Sequence, residues 1–300
     1  MPRGYPRGTV LLACTSTIQG TVQALVDASR RKESVLVAGL DPVPSRFPEE
    51  LRALPEPEAT QEFCLGILEA VEPHVAAVKL QAAFFELLGP AGMGIYAGLI
   101  EAATDLGLPA IADVKRGDIG PVAVAYAGAH LGVYGATCVT VNPYMGEDAV
   151  LPFLEEARRR SVGGGVFVLV ATSNPSSREV QETTDPPLFE VIAGLVSGLG
   201  RSAGDYPDAG AVVGSTRSEI GGRVRELLPE ALFLSPGYGA QGGEASNVRP
   251  LLDRRGGGVL VNSSRSILYA YENSSSGYRE AAREAASKAR EDLRLVGARL

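Results

Sequence analysis

The run Ser34-Val-Leu-Val-Ala-Gly-Leu-Asp-Pro-Val-Pro44 joins a short apolar stretch to an aspartate and a proline-containing turn. Its content predicts a strand over Val35 to Leu40. The strand end and turn read Gly39-Leu-Asp-Pro-Val-Pro and not Gly-x-Gly-x-x-Gly, which weakens a dinucleotide-binding Rossmann reading. Seven more runs of the same kind succeed it: Val75 to Leu80, Ala110 to Val114, Ala136 to Val141, Val166 to Ala171, Ala211 to Val213, Leu232 to Leu234 and Gly258 to Val261. Between most of them lie segments with helical spacing, among them Gln61 to Val71, Ile95 to Leu106 and Leu188 to Leu199. Eight βα repeats predict an α/β protein whose parallel strands close into a (β/α)8 TIM barrel rather than an open doubly wound sheet.

The barrel proper is expected over residues 34–271, within one domain spanning residues 1–300. A helix over Thr21 to Arg31 precedes it, a polar loop runs over Asn273 to Gly277, and an Ala/Arg/Glu-rich surface helix covers Tyr278 to Leu295. A chain of 300 residues with 45% hydrophobic and 21% charged residues has ample material for one core. The formal charge of -7 argues against nonspecific binding to nucleic acid or anionic membrane, so any anionic ligand must be held by locally placed cations. Three cysteines, Cys14, Cys64 and Cys138, show no metal-ligand spacing and read as reduced packing residues. No run approaches the roughly 18 apolar residues of a membrane span. The apolar piece from Val10 to Ala13, which reaches Cys14, is shorter than the ~7 to 15 residues of a signal peptide core, which favours a cytoplasmic protein.

In a barrel of this kind chemistry sits at the C-terminal ends of the strands. Asp41 comes directly after the first run, Lys79 lies near the end of the second, and Asp113 and Lys115 close the third. The chain has only four lysines, Lys32, Lys79, Lys115 and Lys288, among 28 basic residues, and two of them end predicted strands. A lysine ammonium can give up a proton where a guanidinium cannot, as general acid chemistry requires. Taken alone, either lysine is as well read as snorkelling at a sheet edge. Asp113 and Lys115, two apart on a strand, share a face and point into the barrel mouth, and Asp118 stands just past Gly117. One structural salt bridge explains such a pair, but not a second Lys and Asp on neighbouring strands.

The segment Asp113-Val-Lys-Arg-Gly-Asp-Ile119 resembles the Asp-x-Lys-x-x-Asp-Ile signature of the orotidine 5'-phosphate decarboxylases. The resemblance spans roughly Ser34 to Tyr271. Gly39-Leu-Asp-Pro, Val78-Lys-Leu-Gln-Ala-Ala-Phe-Phe-Glu, Thr172-Ser-Asn-Pro, Ser235-Pro-Gly-Tyr-Gly-Ala-Gln-Gly-Gly and Asn262-Ser-Ser-Arg fall in the family's order, in the form of its longer bacterial subgroup. It implies decarboxylation of orotidine 5'-phosphate to UMP in pyrimidine biosynthesis, with neither metal nor organic cofactor. By this resemblance Lys115 stabilises and protonates the carbanion, while Lys79, Asp113 and Asp118 complete a charge tetrad. It also implies that Asp118 acts in a partner's site, hence a homodimer with shared active sites. Asp41 corresponds to the ribose-binding aspartate and Ser173 to the serine reading the pyrimidine amide edge. Gln241 and Arg265 correspond to the phosphate contacts. The glycines at 237, 239, 242 and 243 allow backbone to approach an anion, a weak signal taken alone. Arg265 by itself reads equally as a helix-capping arginine.

One departure is Val122, which stands where the family usually has threonine, beside Pro121. The histidines, His74 and His130, have no partner at triad or metal spacing and are expected at the surface or at helix ends. Two rival functions remain: a Mg2+-dependent hexulose-phosphate aldolase or epimerase sharing the Asp-x-Lys-x-x-Asp core, and a noncatalytic phosphosugar-binding barrel.

Overall fold

The structure, a computed structural model, describes residues 22–160, 163–202, 204–239 and 242–300. Its strands are β1 (Leu36–Leu40), β2 (Ala77–Gln81), β3 (Ala110–Arg116), β4 (Cys138–Val141), β5 (Gly165–Ala171), β6 (Ala209–Val213), β7 (Phe233–Pro236) and β8 (Val259–Ser263). They pair in parallel and in chain order, and β8 returns to β1 through registers such as Leu36 with Val261 to close the barrel. The predicted strands all form, with ends displaced by no more than two residues.

The main helices are α1 (Gln23–Lys32), α2 (Glu56–Val71), α3 (Gly89–Asp105), α4 (Gly120–Ala127), α5 (Glu147–Arg159), α6 (Leu188–Leu199), α7 (Ser218–Leu227), the short α8 (Arg265–Leu268) and α9 (Tyr278–Leu295). Between β7 and β8 the crossover carries a 3-10 segment, Ala245–Leu251. In α9, Ala282, Ala286, Ala289 and Leu293 recur at helical spacing and are buried, while Tyr278 stacks on Phe63 of α2 at 5.4 Å between ring centroids. Thr21, where the first helix was expected to begin, and Cys14 lie outside the described residues.

Strands covered by helices outside and by one another inside read as continuous apolar runs, because both faces are buried. The alternation of side chains then divides them between two cores. Leu36, Ala38 and Leu40, with Val78, Leu80, Val139 and Val141, face the helices. Val37, Ala77, Ile111, Cys138, Phe167 and Leu260 fill the barrel interior, and Val22, Leu25 and Val26 join this inner cluster from the start of α1. The N-terminal helix is thus packed into the barrel core, not merely appended to it. Following the inward set two residues further along each strand changes its character: Val37 gives way to Gly39 and Asp41, Ala77 to Lys79 and Gln81, Ile111 to Asp113, Cys138 to Thr140 and Leu260 to Asn262. The apolar layers hold the strands together, and the polar layer above them forms the site.

Gly39 belongs to this inward set for a steric reason. A Cβ there would lie 1.9 Å from the Ser264 Oγ and 3.0 Å from the Asn262 Oδ1, so only hydrogen leaves room for the side chains at the end of β8.

Candidate active site

Lys79 and Asp113 sit on adjacent strands at the end of the apolar filling, and both are almost fully buried. The Lys79 Nζ donates to Asp113 Oδ2 at 2.9 Å and to Asp41 Oδ1 at 3.5 Å. Asp113 receives three more donors. Gln81 Nε2 reaches Oδ2 at 3.1 Å, Thr140 Oγ1 reaches Oδ1 at 2.9 Å, and the Lys115 ammonium reaches Oδ1 at 2.5 Å. Burial disfavours the Lys79 cation, but the carboxylates of Asp41 and Asp113 outweigh it and hold the lysine pKa above its ordinary value. Burial likewise opposes ionisation of Asp113, yet Lys79 and Lys115 hold its carboxyl well below the usual carboxylate range. A buried charge met by this many donors is the arrangement that low-dielectric surroundings tolerate.

Lys115 reaches Asp113 by an irregular route. Ala112 pairs with Val139 but Arg116 pairs with Val141, so β3 carries two more residues than β4 across this step. Within the bulge Lys115 adopts φ +46°, the left-handed region that a side chain rarely enters and that costs on the order of 1–3 kcal/mol. Alternation along an extended strand predicts that Asp113 and Lys115 meet. They do meet, but through a bulge and a left-handed residue, which re-aim the lysine toward the mouth. Its side chain is 44% exposed, against 5% for Lys79, so Lys115 is the accessible cation of the pair.

Above these residues lies a cavity of about 380 Å3. Its β1 to β4 rim supplies Asp41, Lys79, Gln81, Asp113, Lys115 and Thr140; its β5 to β8 rim supplies Ser173, Asn174, Gly237, Tyr238, Asn262 and Arg265 among others. One half of the mouth therefore carries alternating charges, and the other carries neutral donors and acceptors with a guanidinium at its edge. Among the described residues, no carboxylate pairs with Arg265.

The similarity of this chain to known sequences is extensive. The description "Orotidine 5'-phosphate decarboxylase / HUMPS family" matches residues 34–281. The chain belongs to this orotidine 5'-phosphate decarboxylase / HUMPS family. The orotidine 5'-phosphate decarboxylase of Rhodopirellula baltica is 42% identical over 261 residues, covering 81% of this chain and 86% of that protein. That of Caldicellulosiruptor saccharolyticus is 39% identical over 274 residues, covering 83% and 89%. The solved structure of Leishmania donovani OMP decarboxylase superposes with a TM-score of 0.76 at 31% identity, covering 92% of this chain and 97% of that one.

Of the residues singled out from the family signature, Asp41, Lys79, Asp113 and Lys115 converge, and Ser173 and Arg265 line the same cavity. Asp118 does not join them. It lies past the end of β3 in the turn before α4, where its Oδ1 accepts the Ile119 N–H at 2.8 Å. Gln241 lies outside the described residues. In the glycine loop Gly237 lines the cavity, but the amides of Gly239, Gly242 and Gly243 donate to Gly243, Gly239 and Gly237 carbonyls within the loop. The φ values of Gly237, Gly239 and Gly242, at +106°, +80° and +86°, show that these glycines shape the turn.

Among the site residues that escaped the sequence reading are Gln81 and Thr140. Each stands two positions beyond an inward-facing residue, Lys79 and Cys138 respectively, so strict alternation was the signal that would have found them. His130 stands at a helix end but not at the surface. It is buried in the π-helical turn Gly128–Val133, its Nδ1 3.3 Å from the Tyr96 hydroxyl, and burial lowers its pKa to about 4. His74 does end a helix, in the 3-10 turn after α2. Cys64 and Cys138 are free and buried, as packing residues should be.

Proposed function

We propose that this chain decarboxylates orotidine 5'-phosphate to UMP and CO2 in pyrimidine biosynthesis, with Lys115 as the group that meets the reacting carbon. The observation that carries the reading is the Lys115 ammonium, anchored by Asp113 and facing a cavity whose opposite rim holds Arg265. When the bond from C6 to the carboxylate breaks, its electron pair stays on C6 in the plane of the ring, where the π system cannot delocalise it. A fixed cation beside that carbon stabilises the charge without reorganising, and Lys115 then gives C6 a proton, to be replaced from solvent. Lys79 keeps Asp113 ionised and in place, and Asp113 keeps Lys115 on target. Asp41 is assigned to the ribose hydroxyls, Ser173 to the pyrimidine edge, and Arg265 with Gln241 to the phosphate, where a guanidinium offers a bidentate fork.

The reading includes a homodimer in which Asp118 completes the partner's site. Its support is that Asp118 stands apart from its own cavity's residues and that Ile119 in the turn carrying it and Val122 and Val124 in the first turns of α4 are exposed, with Tyr144 and Met145 exposed on the loop after β4. Exposed large apolar side chains grouped in this way favour burial by another protein surface. Val122, where the family usually has threonine, belongs to this apolar group. Among the described residues no helix is long and apolar enough to cross a membrane, and a cytoplasmic location suits the reaction.

The chemistry assigned to Lys115 calls on no metal or organic cofactor. Protein treated with EDTA and incubated with orotidine 5'-phosphate is expected to consume its absorbance at an undiminished rate. Activity that requires added Mg2+, or hexulose-phosphate cleavage in its place, would select the aldolase or epimerase branch of the family. Tight UMP binding without turnover would select a noncatalytic phosphosugar-binding barrel.

A further inference from the structure

Thr140 has no part in the chemistry above, yet its hydroxyl makes three hydrogen bonds at the centre of the site. It accepts the backbone N–H of Val114 and of Lys115, each at 3.0 Å, and donates to Asp113 Oδ1 at 2.9 Å. Two lone pairs and one proton are all that a hydroxyl has, so its capacity is fully used. The residue is 1% exposed.

The bulge explains why such a residue is needed. Where β3 slips against β4, the amides of Val114 and Lys115, which a regular strand would send to opposite neighbours, both turn to the Thr140 hydroxyl instead of to ladder carbonyls. A buried N–H without an acceptor is strongly disfavoured, and a left-handed lysine persists only where its surroundings over-determine it. One hydroxyl supplies both acceptors and ties the same point to the carboxylate that holds the lysine's other end. Lys115 is thereby fixed at its backbone and at its ammonium through a single side chain.

We infer that Thr140 is a positioning residue for Lys115: its hydroxyl closes the β3 bulge, holds the left-handed backbone at 115 and aligns Asp113 with the ammonium. The kinetic consequence rests on the decarboxylase reading; the backbone claim does not. The test compares full-length wild type with Thr140→Val, which keeps the shape and removes the hydroxyl, and Thr140→Ser, which keeps the hydroxyl. Circular dichroism establishes that each is folded. Hydrogen exchange resolved to single residues should show slow Val114 and Lys115 amides in wild type and in Thr140→Ser, and fast ones in Thr140→Val. For orotidine 5'-phosphate, kcat in Thr140→Val should fall on the order of 100-fold, as for a misplaced reacting group, with KM little changed and most of kcat recovered in Thr140→Ser.

Fast exchange of both amides in wild type overturns the inference whatever the variants do, which covers a Thr140→Val protein that fails to fold. Wild-type kcat in a folded Thr140→Val also overturns it, as does an equal loss in Thr140→Ser. If wild type itself leaves orotidine 5'-phosphate untouched, the decarboxylase reading fails, and the two amides still decide the role of Thr140.

Discussion

Replacing Lys79 with methionine isolates the electrostatic core of the site. Methionine keeps the unbranched apolar stem and removes the charge that lies 2.9 Å from Asp113 and 3.5 Å from Asp41. At an effective dielectric constant of about 20, each contact is worth roughly 5 kcal/mol of gross attraction, most of which offsets the desolvation of the groups involved. Removing the cation alone leaves a buried carboxylate with that desolvation uncompensated, so the expected loss is about 3–5 kcal/mol. The lower end is the better expectation, because Lys115, Thr140 and Gln81 continue to donate to Asp113. The assay is urea unfolding at one fixed protein concentration, which keeps any subunit association comparable. The double variant Lys79→Met/Asp113→Asn should be more stable than Lys79→Met, since it removes the stranded charge.

The same pair has a definite pH signature. The folded Lys79 pKa is raised, so its contribution is complete below the unfolded value of about 10.4 and is lost as pH rises through the folded value. The folded Asp113 pKa is depressed, so its contribution is complete above the unfolded value of about 3.9 and is lost as pH falls through the folded value. Between those limits the pair's contribution is flat. In Lys79→Met the burial of Asp113 is opposed by one cation instead of two, its carboxyl takes up a proton more readily, and the deficit against wild type should narrow as pH drops from 7 toward 4. A single variant that loses less than about 1 kcal/mol at pH 7, or a deficit that widens on acidification, would refute the claim that Lys79 compensates the buried carboxylate.

Two further outcomes test the functional assignments. Arg265→Ala should lower kcat/KM about 10- to 100-fold, the measure of a charge-assisted hydrogen bond of roughly 1.5–3 kcal/mol, and Arg265→Lys should recover only part of it because the bidentate fork is lost; steady-state kinetics read both. Lys115→Ala and Asp118→Ala should each abolish turnover while remaining folded, and mixing them through unfolding and refolding should restore about a quarter of wild-type activity, since random two-fold pairing leaves one intact site in half of the dimers. No recovery on mixing would place Asp118 outside the partner's site.

The barrel was legible because each strand is buried on both faces and therefore reads as an unbroken apolar run, and because each run ends where a helical spacing begins. The segment from Leu188 to Leu199 and the final helix from Tyr278 to Leu295 have the bounds that composition and periodicity predict. The charged constellation was legible for a related reason: Lys79, Asp113 and Lys115 interrupt apolar strands, where a charge has no structural excuse unless it is paired. What chain order contains is local, the parity of a side chain and the end of a run. Whether Thr140 faces Asp113 depends on how β3 slips against β4, and neither strand's composition records that slip. Burial of His130 depends on α3 bringing Tyr96 beside a π-helical turn. The amides of Gly239, Gly242 and Gly243 bond within their own loop because of the path the chain takes between β7 and the 3-10 segment after it. Contacts between neighbours in sequence arise from residue type and spacing; contacts across strands arise from register, which exists only once the barrel has closed.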